Sequence, residues 1–485
     1  MARKKSSRTL ATTGPVGFEL QHTSWTQPLE WQQPKGFALR NQAQRVYFDQ
    51  WPVDIVAFAA TKPVNKTLLI VLGPLESVVV YKHLVAQLRD QYKLVFVSLP
   101  GFGQNMDVDF SGTDLELKSF AVFINYLINA DEFKDDEMSL LGTSAAASVA
   151  LETALSLPNR LKTLVLTGLA HRPSKIWQLL LSELSYRIEG EDYLDCADAA
   201  LLYLVSDEIL SKGRTWGVFR QYFKSKVALL TIDQRRCLKA VVGFVLRGDG
   251  LGENTVKETP TCPTLAFTGE YDHLSAPFEH ARFIDACVNG SFATIDDADH
   301  LIHVEKPRVV ASLLKTFLSG QDINDLPGVR AYPPQSFVAL DRRRDPRYVA
   351  SRPKIKVSSS QVVVPEDWEG AIPTELSARL RNINFSGCLL QLHDERFQIA
   401  PHARDLMIYL PQVNMTIKVL AFEQVNTSLR CLFLHEDYLG ATGFKEELDY
   451  GEHFVDADLE TDDFGERPDR DEPWLGAKRH GGSVF

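Results

Sequence analysis

From about residue 40 to residue 320, apolar runs of strand length alternate with stretches of helical spacing, and this alternation restricts the possible fold more than any other feature. Leu68–Gly73 and Leu94–Leu99 are continuous apolar runs, as strands of a parallel sheet buried on both faces require. Between them, Val78–Leu88 has helical spacing. Leu115–Leu127 repeats apolar residues at three and four positions, behind the start signals Thr113 and Asp114. Met138–Gly142, Thr163–Thr167 and Thr264–Thr268 continue the strand series. The succession predicts an α/β domain with a doubly wound sheet.

The segment from about Pro173 to Leu246 breaks the alternation with four helical patterns, Ile176–Leu184, Ala197–Val205, Val218–Leu230 and Gln234–Leu246. An insertion of this kind forms a lid over the mouth of such a sheet. With 485 residues the chain exceeds one typical core. The boundaries expected are an N-terminal basic arm at 1–39, the α/β domain at 40–319 with its lid at about 173–246, a linker at 320–334 rich in Gly, Pro, Asn and Asp, a second domain at 335–436 and an acidic, disordered tail at 437–485. Strand-like runs in the second domain are Lys354–Val357, Cys388–Leu392, Asp405–Leu410, Met415–Phe422 and Ser428–Leu434.

No apolar run approaches membrane-spanning length, and Met1–Leu10 is basic without the apolar core of a secretory signal. The six cysteines include no C-x-x-C pair, so their spacing supports neither a zinc site nor a disulfide framework. The reduced cytoplasm is the expected location. A formal net charge of -11 argues against general nucleic-acid binding, which needs a broad basic face.

Gly142-Thr143-Ser144-Ala145-Ala146 joins a predicted strand to a helical segment, Ala145–Leu155. A serine on so sharp a turn points its hydroxyl above the sheet edge, and small neighbours let the turn pack. The amide of Ala145, at the helix start, can serve a developing oxyanion. Asp272 follows the strand Thr264–Thr268, and His300 precedes a helical run at Val309–Phe317. Ser, Asp and His in this order suit a relay in which Asp orients imidazole, imidazole takes the serine proton, and serine attacks an acyl carbon. The bland alternative is tight packing at the turn and solvated loop residues.

Across roughly residues 45–320 the chain resembles the α/β-hydrolase family. The resemblance rests on Gly142–Ala146, S-L-P-G-F-G at Ser98–Gly103, T-G-E-Y-D at Thr268–Asp272 and D-H-L-I-H-V-E-K-P at Asp299–Pro307. It implies Ser144 as nucleophile, Asp272 as orienting acid and His300 as general base, with His303 a weaker substitute, and no catalytic cofactor or metal. In the family an H-G-x loop supplies a second oxyanion amide from x. Here Leu72, Gly73 and Pro74 occupy that loop, and proline has no N–H to give. A donor from Leu75 or Ser77 would replace it.

Asp341–Arg347 reads D-R-R-R-D-P-R, four guanidinium groups within six positions, and Asn382–Gly387 is a polar turn, N-I-N-F-S-G. Guanidinium forks pair with phosphate oxygens and with the guanine O6/N7 edge. A solvated basic linker followed by an ordinary hairpin turn is the bland reading. Arg342-Arg343-x-x-x-Arg347 followed by Asn382-x-Asn384-x-x-Gly387 is similar to the signature of the PilZ domain, over roughly residues 335–436. The family pattern is R-R-x-x-x-R, then D/N-x-S-x-x-G, so Asn384 stands where the family has Ser. This resemblance implies a small β-barrel that binds cyclic di-GMP through Arg342, Arg343, Arg347, Asn382, Asn384 and Gly387.

Together these readings describe a bacterial cyclic di-GMP-responsive protein whose α/β-hydrolase domain cleaves a hydrophobic ester or thioester, cyclic di-GMP being a regulatory ligand and a small acyl compound the substrate. The alternative is a non-catalytic receptor that uses the hydrolase-like domain to meet a protein partner.

Overall fold

The computed structural model describes residues 29–32, 43–48, 51–103, 105–108, 117–169, 181, 184–185, 187–188, 225, 227–246, 259–272, 274–332, 348–365, 367–384, 387–399, 406–433, 443–444, 446–448 and 451–456. Two sheets organise them. The first contains β1 (Trp31–Gln32), β2 (Gln44–Phe48), β3 (Trp51–Phe58), β4 (Lys66–Val71), β5 (Lys93–Ser98), β6 (Glu137–Thr143), β7 (Leu161–Thr167), β8 (Thr264–Gly269), β9 (Gly290–Ile295) and β10 (Val329–Tyr332). Their order is β1-β3-β5-β4-β6-β7-β8-β9-β10, with β2 paired to β3. The block from β5 through β9 is parallel, while β3 runs antiparallel to β5 and β10 antiparallel to β9.

Seven α-helices are described: α1 (Lys82–Leu88), α2 (Leu117–Ile128), α3 (Ala145–Ser156), α4 (Ile232–Leu246), α5 (Pro277–Ala286), α6 (Ile302–Glu305) and α7 (Pro307–Leu318). Successive side chains of a strand point to opposite faces, and the core divides accordingly. Leu68 and Ile70 pack with Leu84 and Leu88 of α1 and Leu313 and Leu314 of α7. Leu69 and Val71 pack with Phe120 and Phe123 of α2, Val149 and Ala150 of α3 and Phe283 and Ile284 of α5. Both faces are covered, which is why β4 and β5 read as unbroken apolar runs.

The second sheet contains β11 (Tyr348–Ala350), β12 (Lys354–Ser358), β14 (Glu375–Ile383), β15 (Gly387–Leu392), β17 (Leu406–Leu410), β18 (Met415–Val425), β19 (Ser428–Phe433) and β20 (Phe454–Asp456), while β13 (Val362–Val363) and β16 (Gln398–Ile399) pair separately. Strand β12 pairs with both β17 and β14. The antiparallel pairings β12-β17-β18-β19-β15-β14 therefore form a closed ring, which removes the exposed edges of those strands. Along β14, Glu375, Ser377 and Arg379 face outward and Leu376, Ala378 and Leu380 face the core.

Several expectations require correction. The segment 320–334 is not only a linker: Val329–Tyr332 forms the edge strand β10 on β9, and Tyr332 stacks on Phe292 with ring centroids 5.3 Å apart. Part of the expected arm, Trp31–Gln32, pairs with Ala57 and Phe58 of β3, and Trp31 Nε1 donates to Glu132 at 2.7 Å. The expected disordered tail contributes Phe444, Leu448 and Phe454 to the core of the second sheet, and β20 pairs with β11. Acidic composition conceals these contacts because only a few apolar residues carry them. Of the lid patterns, Gln234–Leu246 falls within α4; the other three lie largely outside the described residues, as do Thr113 and Asp114. Among the described residues, no helix is long and apolar enough to cross a membrane.

Candidate active site

Strand β6 ends at Thr143 and α3 begins at Ala145, leaving Ser144 to make the whole turn at φ 52°, ψ -129°. That is a strained region for a residue with a Cβ, and such strain persists where the surroundings enforce it. Ser144 N–H donates to Thr167 O at 2.8 Å, tying the turn to the end of β7. A Cβ on Gly142 would lie 2.6 Å from both Ala146 O and Ala150 Cβ, so the helix can fold back on the strand only over a glycine. Ala146 is fully buried in that contact. Gly168, at φ 70°, passes so close that an added Cβ would lie 2.9 Å from His300 Cε1 and from Ser144 Cα.

Ser144 Oγ lies 3.1 Å from His300 Nε2, and His300 Nδ1 lies 2.9 Å from Asp272 Oδ2. The structure thus brings together three residues that stand at the ends of different strands. With Nδ1–H donated to Asp272, the His300 Nε2 lone pair faces the serine hydroxyl. Asp272 accepts further bonds from Thr268 Oγ1 at 2.8 Å, Leu274 N–H at 3.0 Å and Ser275 N–H at 2.8 Å. Burial alone would raise its pKa, but His300, the Ser275 N–H and His280 outweigh that and hold the carboxyl below its ordinary 3.8. Asp299 Oδ1 accepts from His300 N–H at 2.7 Å, while Asp299 N–H donates to Glu305, fixing the histidine's own loop.

Two other histidines have different positions. His303 sits on Glu76, with Nε2 3.4 Å from Oε1, and stacks on Tyr81 at 5.1 Å and 1°. Burial lowers its pKa despite the adjacent carboxylate. Among the described residues it is His300, not His303, that meets Ser144. His280 accepts from Leu169 N–H through Nε2 at 3.0 Å, and its Nδ1 faces Ala276 O at 3.3 Å. Ser275 Oγ donates to Leu169 O, so the Gly168 loop is fastened to the Asp272 loop.

Ala145 is the first residue of α3, and its N–H has no intrahelical acceptor. On the opposite side, Gly73 O accepts from Glu76 N–H at 3.3 Å, with Pro74 and Leu75 between them and Leu75 at φ 63°. This is a type II turn carrying a leucine where glycine is usual. Glu76 Oε2 accepts from Gly73 N–H at 2.9 Å, Tyr81 Oη at 2.9 Å and Thr143 Oγ1 at 2.8 Å. Sequence reasoning missed Glu76, Tyr81, Thr143 and His280. The one available signal was a single charged residue, Glu76, inside the otherwise apolar stretch Leu68–Tyr81.

In the second sheet, Asn382 pairs with Leu389 beside a bulge in β14. Asn384 N–H donates to Gly387 O at 2.9 Å, and Gly387 N–H donates to Asn384 Oδ1 at 2.8 Å. These three candidate ligand residues thus cluster where β14 turns into β15, with the Asn384 acceptor oxygen used inside the turn. Arg342, Arg343 and Arg347 lie outside the described residues. Among the described residues, no cluster of His, Cys, Asp and Glu could hold a metal ion.

Residues 66–307 match the family described as alpha/beta hydrolase fold, and with the strand order and elbow above, that part of the chain is an α/β-hydrolase domain. The chain is 23% identical over 253 residues to the biotin biosynthesis bifunctional protein BioHC of Teredinibacter turnerae, a match that covers 49% of this chain and 41% of the relative. The chain therefore spans about two fifths of the length of that curated relative. Among solved structures it is similar to MGS-M2, an alpha/beta hydrolase enzyme from a Medee basin deep-sea metagenome library, at 15% identity and a TM-score of 0.49, over 58% of this chain and 98% of that one. It is also similar to MenH from S. aureus, at 22% identity and a TM-score of 0.43, over 55% and 98%.

Proposed function

We propose that the α/β-hydrolase domain is a serine hydrolase acting on a hydrophobic ester or thioester. The observation that carries this reading is the Ser144–His300–Asp272 chain of contacts at 3.1 and 2.9 Å, with the serine on a strained elbow. In the proposed reaction His300 Nε2 takes the Ser144 proton as Oγ bonds to the acyl carbon. The same proton then passes to the departing alcohol or thiol. Water, deprotonated by His300, releases the acid and restores the serine. Ala145 N–H supplies one oxyanion donor. The apolar patterns of the lid region support an apolar acyl chain; within α4, Leu238, Val241 and Val242 are buried. Hydrolysis of p-nitrophenyl esters of graded chain length tests the reading, which fails if no ester turns over or if Ser144→Ala hydrolyses as fast as the native protein.

The closed ring of antiparallel strands and the Asn382–Gly387 turn support a PilZ-like barrel at the C-terminal side, with cyclic di-GMP held by Arg342, Arg343, Arg347, Asn382, Asn384 and Gly387. Calorimetric titration with cyclic di-GMP tests it, and absence of binding by the native protein sinks it. Ligand at the barrel would regulate the hydrolase; ester hydrolysis rates identical with and without saturating cyclic di-GMP would remove that link. A second reading, a non-catalytic receptor offering the hydrolase-like domain to a protein partner, is favoured by Pro74, which has no amide for an oxyanion. An inert protein whose Ser144→Ala variant keeps the cellular phenotype would establish this second reading.

A further inference from the structure

Glu76 is a nearly buried carboxylate, with a side chain 9% exposed, that stands outside the serine relay. Burying a carboxylate is costly unless its oxygens are well bonded. Here three donors converge on one oxygen, Oε2, and they come from three separate pieces of chain: Gly73 at the end of β4, Tyr81 at the start of α1 and Thr143 at the end of β6. The other oxygen faces His303. So concentrated a use of one carboxylate fixes those pieces against one another.

Their location gives the cluster its meaning. Thr143 directly precedes the nucleophile, and a Cβ on Gly73 would lie 3.1 Å from Thr143 O, so the Gly73–Glu76 turn rests on the elbow backbone. In a type II turn the central peptide is flipped, and here that peptide is Pro74–Leu75. The Leu75 N–H has no hydrogen-bond partner among the described residues. Ser77, by comparison, has an extended backbone, and its side chain accepts from Val79 N–H as the cap of the following turn. Leucine at φ 63° is held against its own preference, a strain that the surroundings must enforce.

We infer that Leu75 N–H is the second oxyanion donor, in place of the amide Pro74 lacks, and that Glu76 is the positioning residue that holds the turn in the conformation presenting it. The inference rests on the serine-hydrolase reading above. Glu76 touches no reacting atom; it acts through the backbone between Gly73 and Leu75 and through Thr143. A glutamine there keeps an acceptor oxygen for the three donors and turns its amide toward His303, whereas alanine removes every tie.

The test compares native protein, Glu76→Ala, Glu76→Gln and Ser144→Ala by kcat and KM for p-nitrophenyl butyrate and by the rate at which a fluorophosphonate labels Ser144. Labelling displaces fluoride from phosphorus and draws the phosphoryl oxygen, which gains negative charge in the transition state, into the same hole without requiring turnover. Glu76→Ala is expected to lower kcat about 10²-fold, the scale of one lost oxyanion donor, and labelling in parallel. Its KM is expected to change less than about threefold, because the donor acts in the transition state. Glu76→Gln should recover to within about tenfold of native. Rates are normalised to the folded fraction from thermal melts, so a merely structural role, which lowers the amount of folded protein, leaves kcat per folded molecule unchanged. Unchanged kcat and labelling in Glu76→Ala, or an equal loss in Glu76→Gln, overturns the role of Glu76 alone. Native protein that neither turns over nor labels at Ser144 overturns the hydrolase reading, and the positioning role with it.

Discussion

The hydrolase domain and the C-terminal ring of strands arrange polar residues around their cores in different ways. In the first sheet, Ser144, Asp272 and His300 stand where parallel strands end, and Asp272 and His300 are almost completely buried. Every oxygen of Asp272 is engaged, so the site is assembled before any substrate arrives. In the barrel the core is apolar and the polar residues of β14 alternate outward, while Asn382 and Asn384 are half-buried at the end of that strand beside a buried Gly387. A parallel sheet covered on both faces has only its strand ends free for chemistry, while a closed antiparallel ring leaves its whole outer face. Substitutions in the first region should therefore act through preorganisation, and those in the second through direct contact with ligand.

The sharpest way to break this contrast is at the relay. Ser144→Ala and His300→Ala are each expected to lower kcat for an activated ester by on the order of 10⁴–10⁶, while His303→Ala should leave more than about a tenth of it. Comparable losses for His300→Ala and His303→Ala would mean that the base is misassigned. Gly168→Ala tests preorganisation without removing a functional group. Its Cβ must displace Ser144 or the His300 ring, and it occupies φ 70°. A loss of about 10²-fold in kcat is expected, with a destabilisation of about 1–3 kcal/mol seen in denaturant melts.

On the barrel side, Arg343→Ala should weaken cyclic di-GMP binding at least about tenfold in calorimetry, since a desolvated bidentate contact is worth about 1–3 kcal/mol. It should leave ester hydrolysis in the absence of ligand unchanged. Loss of basal activity in Arg343→Ala would mean that the two regions are not separable in this way.

The hydrolase core also carries a pH signature. Burial holds His280 neutral in the folded protein, its pKa lowered from 6.5 to about 4, with Asp272 opposing the shift and His300 adding to it. Between those values the unfolded chain binds a proton that the folded chain does not. Stability is therefore complete above about 6.5 and is lost as pH falls toward about 4, at up to about 1.4 kcal/mol per pH unit. His280→Gln, which keeps an acceptor for Leu169 N–H, should flatten the dependence of melting temperature on pH in that window. The lowered pKa of His303 contributes with the same sign and would remain. The smallest effect is expected from Asn384→Ser. A hydroxyl can accept the Gly387 N–H as Asn384 Oδ1 does, so affinity for cyclic di-GMP should change by less than about fivefold.

Much of this arrangement could be read from the chain alone, for identifiable reasons. β4 and β5 carry unbroken apolar runs, and β6, β7 and β8 shorter ones, because both faces of the sheet are covered. β3 was hidden by Pro52 and by Asp54, a buried carboxylate whose partner Arg45 lies across the hairpin at 2.7 Å. β9 was hidden by its Gly, Ser and Thr, and β14 by outward Ser and Arg that dilute its apolar half. Ser144 and Asp272 could be proposed because each lies beside a recognisable strand end, and His300 because it precedes a recognisable helical run. His280 could not, since its partner Leu169 is 111 positions away and a single histidine on a helix carries no pattern. Glu76 needed three segments to be brought together before its one carboxylate had a meaning.

The edge strand β10 also sets a reach. Its last residue, Tyr332, is hydrogen-bonded to the hydrolase sheet, and Arg342 follows ten residues later. Even fully extended, ten residues span at most roughly 35 Å. Position 342 is thus held within that reach of the sheet's edge, and the effective concentration of the second domain beside the hydrolase domain is set by the length of the connection rather than by how much protein is in solution.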